Sequence, residues 1–116
     1  MSPGFRIRTN EEITDLAYKF GTLLQTFFDR VEIRLFGSYH HNRPHAQSDL
    51  DFAVVSKDFV GIDPYISLKI LNRAKMGIDS IIEPIALTPK ELSAPEVGTI
   101  AFEIARNSSL LFKAPW

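Results

Sequence analysis

A small mixed β-sheet packed by helices, an α/β (α+β) fold, is what the sequence predicts. Three observations lead there. Runs with the two-residue period of half-buried strands alternate with stretches that space apolar residues three and four apart, the period of helices. Several of the helical stretches open on residues suited to capping. The resulting order, α, β, β, α, β, α and a final β, interleaves strands among helices, which argues for one sheet covered by helices.

Each element has its own warrant. Thr9-Asn10-Glu11-Glu12 opens the first helix, because Thr9 with Glu12 three residues on has capping-box spacing. That helix is expected to run to about Asp29, burying Ile13, Leu16, Ala17, Phe20, Leu24 and Phe27, with Leu23 and Phe28 widening the stripe. Val31 to Phe36 alternates as a strand and ends at Gly37-Ser38. Tyr39 to Ser48 has neither period and reads as a loop with room for one helical turn. Leu50 to Val55 is apolar apart from Asp51, the pattern of a strand covered on both faces. Asp63-Pro64 starts the second helix, with Leu68, Ile70, Leu71 and Ala74 inward and Gly77 as its stop.

Ile78 to Leu87 is the third strand. Pro84 cannot donate a ladder hydrogen bond, so this strand lies at an edge or carries a bulge. Glu83, preceding the proline, is held extended. Thr88-Pro89-Lys90-Glu91 starts one short turn, and Ser93-Ala94-Pro95-Glu96 is expected to cap a last helix that carries Val97, Ile100, Ala101 and Ile104 to about Asn107. Leu110-Leu111-Phe112 then supplies an edge strand.

With 116 residues, 45% of them hydrophobic and 23% charged, the chain is expected to form one domain spanning residues 1–116 with its own core. A formal net charge of −1 provides no field to hold a polyanion, so general nucleic-acid binding is not expected. Without cysteine there is no disulfide, thiolate nucleophile or cysteine zinc site. No apolar run approaches the roughly 20 residues of a membrane span, and the first residues lack a secretory apolar region, so the expected location is the cytoplasm.

The chemistry concentrates around two short motifs. Asp49 and Asp51 stand one residue apart at the start of a strand, which points both the same way with Cα atoms roughly 6 to 7 Å apart. Magnesium takes hard oxygen ligands and commonly uses one or two carboxylates plus substrate phosphates, so this pair suits Mg²⁺. A pair of such ions can activate an attacking oxygen and neutralise a leaving pyrophosphate. An aspartate inside the apolar run Leu50-Asp51-Phe52-Ala53-Val54 is costly to bury unless bound to metal or paired, with Arg34 or Arg43 as pairing candidates. Gly37 lets a backbone approach phosphate closely, and adjacent amides with the Ser38 hydroxyl can donate to it. Glu83 is the candidate third carboxylate, with Asp79 the weaker choice.

Other polar residues read as structural. His40, His41 and His45 lack the spacing of a two-histidine zinc site and are expected to be solvated or to contact phosphate. Tyr39 and Tyr65 are expected to pack, and Arg6 and Arg8 to be solvated tail charges.

Gly37-Ser38, ten residues, then Asp49-Leu50-Asp51 on apolar strands resembles the nucleotidyltransferase superfamily of DNA polymerase β, and the chain's size makes it look like its minimal nucleotidyltransferases. The resemblance covers roughly Glu11 to Leu87. It implies that Gly37 and Ser38 hold the nucleotide phosphates, that Asp49 and Asp51 hold Mg²⁺, and that Glu83 falls where a third-strand carboxylate acts as general base, a place where relatives mostly carry aspartate. Many minimal members have an arginine directly after Gly-Ser. Here Tyr39 follows, and the nearest arginine is Arg43, the remaining candidate for the nucleotide. Such proteins are often paired with a helical HEPN-domain protein in toxin–antitoxin modules. The implied activity is transfer of AMP from ATP to a hydroxyl, preferentially a tyrosine of a HEPN partner.

Two further readings compete. A catalytically degenerate subunit would bind nucleotide or partner and neutralise by occupancy, with an exposed apolar patch expected near Leu110, Leu111, Phe112 and Trp116. An aminoglycoside-type nucleotidyltransferase would need a second domain, for which the length leaves no room. A chain this small needs its acceptor's own surface, or a second copy, to complete the cleft.

Overall fold

The computed structural model describes residues 6–45 and 48–114. Helix α1 (Asn10–Leu24) starts at Thr9, whose hydroxyl accepts from the Glu12 amide while the Glu12 carboxylate accepts from the Thr9 amide. Thr9→Ala is therefore expected to cost about 1 kcal/mol. A urea midpoint equal to the parent's would show that the cap contributes nothing. The helix ends at Leu24, short of Asp29. The Thr26 and Phe27 amides turn back to the carbonyls of Leu23 and Leu24, and the Thr26 hydroxyl also donates to Leu23. This tightening breaks the apolar stripe, leaving Phe27 62% exposed, whereas Phe28 enters the core edge-on to Phe59.

Four strands form one sheet: β1 (Glu32–Phe36), β2 (Leu50–Val55), β3 (Ile82–Leu87) and β4 (Ser109–Lys113), in the spatial order β3-β2-β1-β4. β1 is antiparallel to β2 and β4, and β2 is parallel to β3. A short helix, α2 (Gly37–His40), follows β1, and a 3₁₀ turn (Lys57–Phe59) follows β2. A parallel pair needs a crossover, supplied here by α3 (Pro64–Lys75). Asp63 caps it through the Tyr65 amide, with Pro64 in its first turn. Then come α4 (Pro89–Ser93), with its Thr88–Glu91 capping box, and α5 (Ile100–Arg106).

The larger core joins α1 and α3 to one sheet face through Phe20, Leu24, Ile33, Phe52, Leu71 and Ile82. α1 passes close to β4, where a Cβ on Gly21 would meet the Phe112 ring at 2.5 Å. A smaller cluster covers part of the opposite face, with Ala53, Val55 and Leu87 under Ala101 and Ile104 of α5. Among the described residues no helix is long and apolar enough to cross a membrane.

Several expectations need correction. β3 begins at Ile82 rather than Ile78, because the chain leaving α3 first turns at Asp79, whose carbonyl accepts from the Ile82 amide. Pro84 does sit on an edge strand, as expected, and without a bulge, since the register from Leu50↔Ile82 to Val55↔Leu87 is unbroken. The last helix is capped by Thr99, not Ser93, because Gly98 at φ +89° redirects the chain just before it. Val97 is thereby left outside and 84% exposed. On α3 the buried residues are Ser67, Leu71 and Ala74, and Leu68 lies beyond their stripe, exposed. At the C-terminal end, Leu110 is exposed, but Phe112 packs on Gly21 and edge-on to Tyr18. Trp116 lies outside the described residues.

Candidate active site

The strand register decides which carboxylates meet. Phe36 lies opposite Asp51, and Asp51 lies beside Glu83, so Asp51 and Glu83 share one face at the end of the sheet where β1 passes into α2. Asp49 is exposed just ahead of β2. The buried Ser48 fixes the approach to it: its hydroxyl accepts from the His45 amide at 2.9 Å, and its own amide donates to the His45 carbonyl at 2.9 Å. The Leu50 amide then bonds to the Ile81 carbonyl, tying the start of β2 to that of β3.

Gly37 and Asp51 are in direct contact. Gly37 has φ +74°, a conformation that disfavours any side chain, and a Cβ there would overlap Asp51 Oδ2 and fall 2.9 Å from Asp51 Cγ. Gly37 and Ser38 do not simply close β1; they open α2, so their amides have no intrahelical acceptor. The Ser38 carbonyl accepts from the Arg43 amide at 2.9 Å, and the Arg43 side chain is exposed.

Electrostatically, this corner is unfavourable for the empty protein. The Asp51 carboxyl is pushed up to about 6, first by burial and then by the charges of Asp49 and Glu83. Among the described residues no attraction to a cation offsets these effects. Arg34, which shares the face, has its Nε 3.4 Å from Glu32 instead, so the ion-pair account of Asp51 fails for that arginine. Glu83 is 56% exposed, with its Oε2 3.8 Å from Lys75 Nζ.

Other candidates are occupied elsewhere. Asp79 accepts from the Arg8 guanidinium at 2.7 Å and from the Ile81 amide at 3.0 Å, so it serves the turn before β3. Arg8 is accordingly a nearly buried structural cation, and Arg6 pairs with Glu12; neither is a free tail charge. Tyr39 is buried, and its hydroxyl accepts from the Arg8 amide. Tyr65, expected to pack, is 69% exposed. His40 Nδ1 is 2.8 Å from Ser109 Oγ, and its ring meets His41 edge-on.

Among the described residues, no group of three or more histidines, aspartates or glutamates stands close enough to hold a metal ion. The donor chemistry nevertheless fits magnesium of the kind that arrives with a nucleotide. Such an ion is held by one or two carboxylates plus phosphate oxygens, not by a preformed protein cage. A half-buried aspartate whose charge is disfavoured by two neighbouring carboxylates is also one that a nearby cation would favour. The corner faces solvent through the exposed Asp49 and Glu83, and the cavities between α4 and α5, about 380 Å³, and between α1 and α3, about 530 Å³, are lined by none of these acids.

Comparison with known proteins agrees with this architecture. The family described as the nucleotidyltransferase domain matches residues 18–110, which include both motifs, β1 to β3 and only the start of β4. A Sulfolobus solfataricus protein provisionally assigned as a nucleotidyltransferase, solved by crystallography, has a similar fold. It is 19% identical, with a TM-score of 0.65 over 87% of this chain and 80% of that one. A chain from the crystal structure of a toxin–antitoxin with AMP-PNP is 20% identical, with a TM-score of 0.54 over 87% of this chain and 73% of that one. No curated protein matches the sequence. With most of its length matched by the family and its strands and motifs in the places described above, the chain belongs to the nucleotidyltransferase domain family.

Proposed function

We propose that the protein is a Mg²⁺-dependent nucleotidyltransferase that moves AMP from ATP to a hydroxyl group, that of a tyrosine on a HEPN-type partner, and so acts as an antitoxin in the cytoplasm. The observation that carries this reading is the Asp51 carboxylate, half-buried against Gly37, beside Glu83 and near Asp49. Such a cluster destabilises an empty protein and suits one that binds a cation with a phosphate. The Gly37 and Ser38 amides and the Ser38 hydroxyl would donate to phosphate oxygens, with Arg43 following on an exposed loop. Mg²⁺, held by Asp49 and Asp51 with Glu83, would supply charge neutralisation when bound.

Glu83 takes the proton of the acceptor hydroxyl. The acceptor oxygen bonds to the α-phosphorus, the bond from that phosphorus to the bridging oxygen breaks, and its electron pair leaves with pyrophosphate. Catalysis is then largely positioning and charge stabilisation. The open corner supports a partner that brings its own surface. The similar fold of a chain crystallised in a toxin–antitoxin with AMP-PNP lends further support to an adenine nucleotide and a protein partner.

If Glu83 is the base, Glu83→Gln should lower turnover about 100-fold with nucleotide binding retained. Turnover near the parent's would remove it from the site.

A second reading, neutralisation by occupancy, is favoured by the apolar groove where the exposed Phe27 stands beside Leu23 and Ile70. Co-expression with the partner separates the two. Loss of neutralisation in Asp49→Asn and Asp51→Asn, with the complex still forming, supports the enzyme; full neutralisation by both variants supports occupancy.

A further inference from the structure

The third carboxylate is engaged in the empty protein, and its partner is an unusual one for a surface acid. Lys75 is the last residue of α3, with its side chain only 14% exposed. α3 packs on the face of the sheet that carries Ile82, whereas Glu83, the next residue, points to the other face. The lysine nevertheless places its Nζ 3.8 Å from Glu83 Oε2, on the edge strand β3. Burying most of a lysine is costly unless its charge has a partner. The pairing gives the Glu83 carboxylate a cation of its own, one that a metal ion must displace. Adjacent strands are only about 4.8 Å apart, so rotation of the Glu83 side chain is enough to bring its carboxylate across to Asp51.

We propose that Lys75 is a latch on the third carboxylate, pairing with Glu83 until a divalent cation competes for it. Lys75 is thus a positioning residue that sets how readily the empty site completes itself. This rests on the reading of Asp49, Asp51 and Glu83 as the metal-holding set.

The test is a Mn²⁺ titration of the nucleotide-free full chain, with free Mn²⁺ read by electron paramagnetic resonance. Lys75→Met, which keeps an unbranched stem, should bind Mn²⁺ about threefold more tightly than the parent, the scale set by a partly exposed ion pair. Lys75→Arg should stay near the parent, and in a Glu83→Gln background the gain from Lys75→Met should disappear. Lys75→Gln serves the same comparison if the methionine lowers stability. Unchanged or weaker binding by Lys75→Met overturns the latch, as does a gain that persists with Glu83→Gln, which would be bare charge repulsion. Asp51→Asn distinguishes the underlying reading. If it binds Mn²⁺ as well as the parent, the metal site itself is wrong and the latch falls with it. If it loses Mn²⁺ while Lys75→Met matches the parent, only the latch falls.

Discussion

Asp51→Asn is expected to lower nucleotidyl transfer about 1,000-fold while making the metal-free protein more stable at neutral pH. The two effects have one cause. Folding raises the Asp51 carboxyl from 3.8 to about 6, so the folded chain holds this proton more tightly than the unfolded chain does. Below pH 3.8 both states are protonated and the site costs nothing. As pH rises towards 6, the unfolded chain ionises first and the folded state loses stability relative to it. Above 6 the full penalty is present. Each pKa unit corresponds to about 1.4 kcal/mol, and screening of a half-exposed carboxylate reduces the recoverable gain to about 1 kcal/mol. Urea unfolding in chelator should therefore show Asp51→Asn ahead of the parent at pH 7.5 and the difference shrinking at pH 4.5. A variant less stable than the parent at pH 7.5 would mean that Asp51 has a stabilising partner in the folded protein.

Gly37→Ala should harm both stability and activity. The left-handed φ costs an ordinary residue about 1 to 2 kcal/mol, and overlap with the Asp51 carboxylate adds about 1 to 3 kcal/mol of overpacking. The new methyl must also displace the aspartate, so transfer should fall with it. Combining the change with Asp51→Ala isolates the contact. Removing the carboxylate should leave only the backbone cost, so Gly37→Ala should be less damaging in that background. Equal costs in both backgrounds would show that Gly37 and Asp51 do not touch.

The sequence revealed these two residues as types but not as neighbours. Asp51 was legible because a charge interrupts an otherwise apolar strand, and Gly37 because it ends another. Their contact depends on the pairing of Phe36 with Asp51, which no local pattern encodes. The edge position of β3 was legible for a physical reason, since a proline there leaves few alternatives. Phe27 and Phe28 show the limit of periodicity: both continue the helical stripe, and the burial of one rather than the other follows from where Thr26 tightens the chain. Arg8 reads as a solvated tail charge and Asp79 as the weaker third carboxylate, and nothing in the sequence relates them until folding pairs them at 2.7 Å. Lys75 was illegible for a similar reason, because a lysine in the last turn of a helix already suits the helix dipole. Its pairing with Glu83 is visible only once α3 and the edge strand are in place.

The central claim is that this corner transfers a nucleotidyl group. It is tested most directly by incubating the protein, Mg²⁺ and the proposed HEPN-type partner with ATP labelled at either the α- or the γ-phosphorus. Label from the α position should appear on the partner, label from the γ position should appear only in pyrophosphate, and Asp51→Asn should abolish both. Transfer of the γ label to the partner, or α transfer undiminished by Asp51→Asn, would contradict the account.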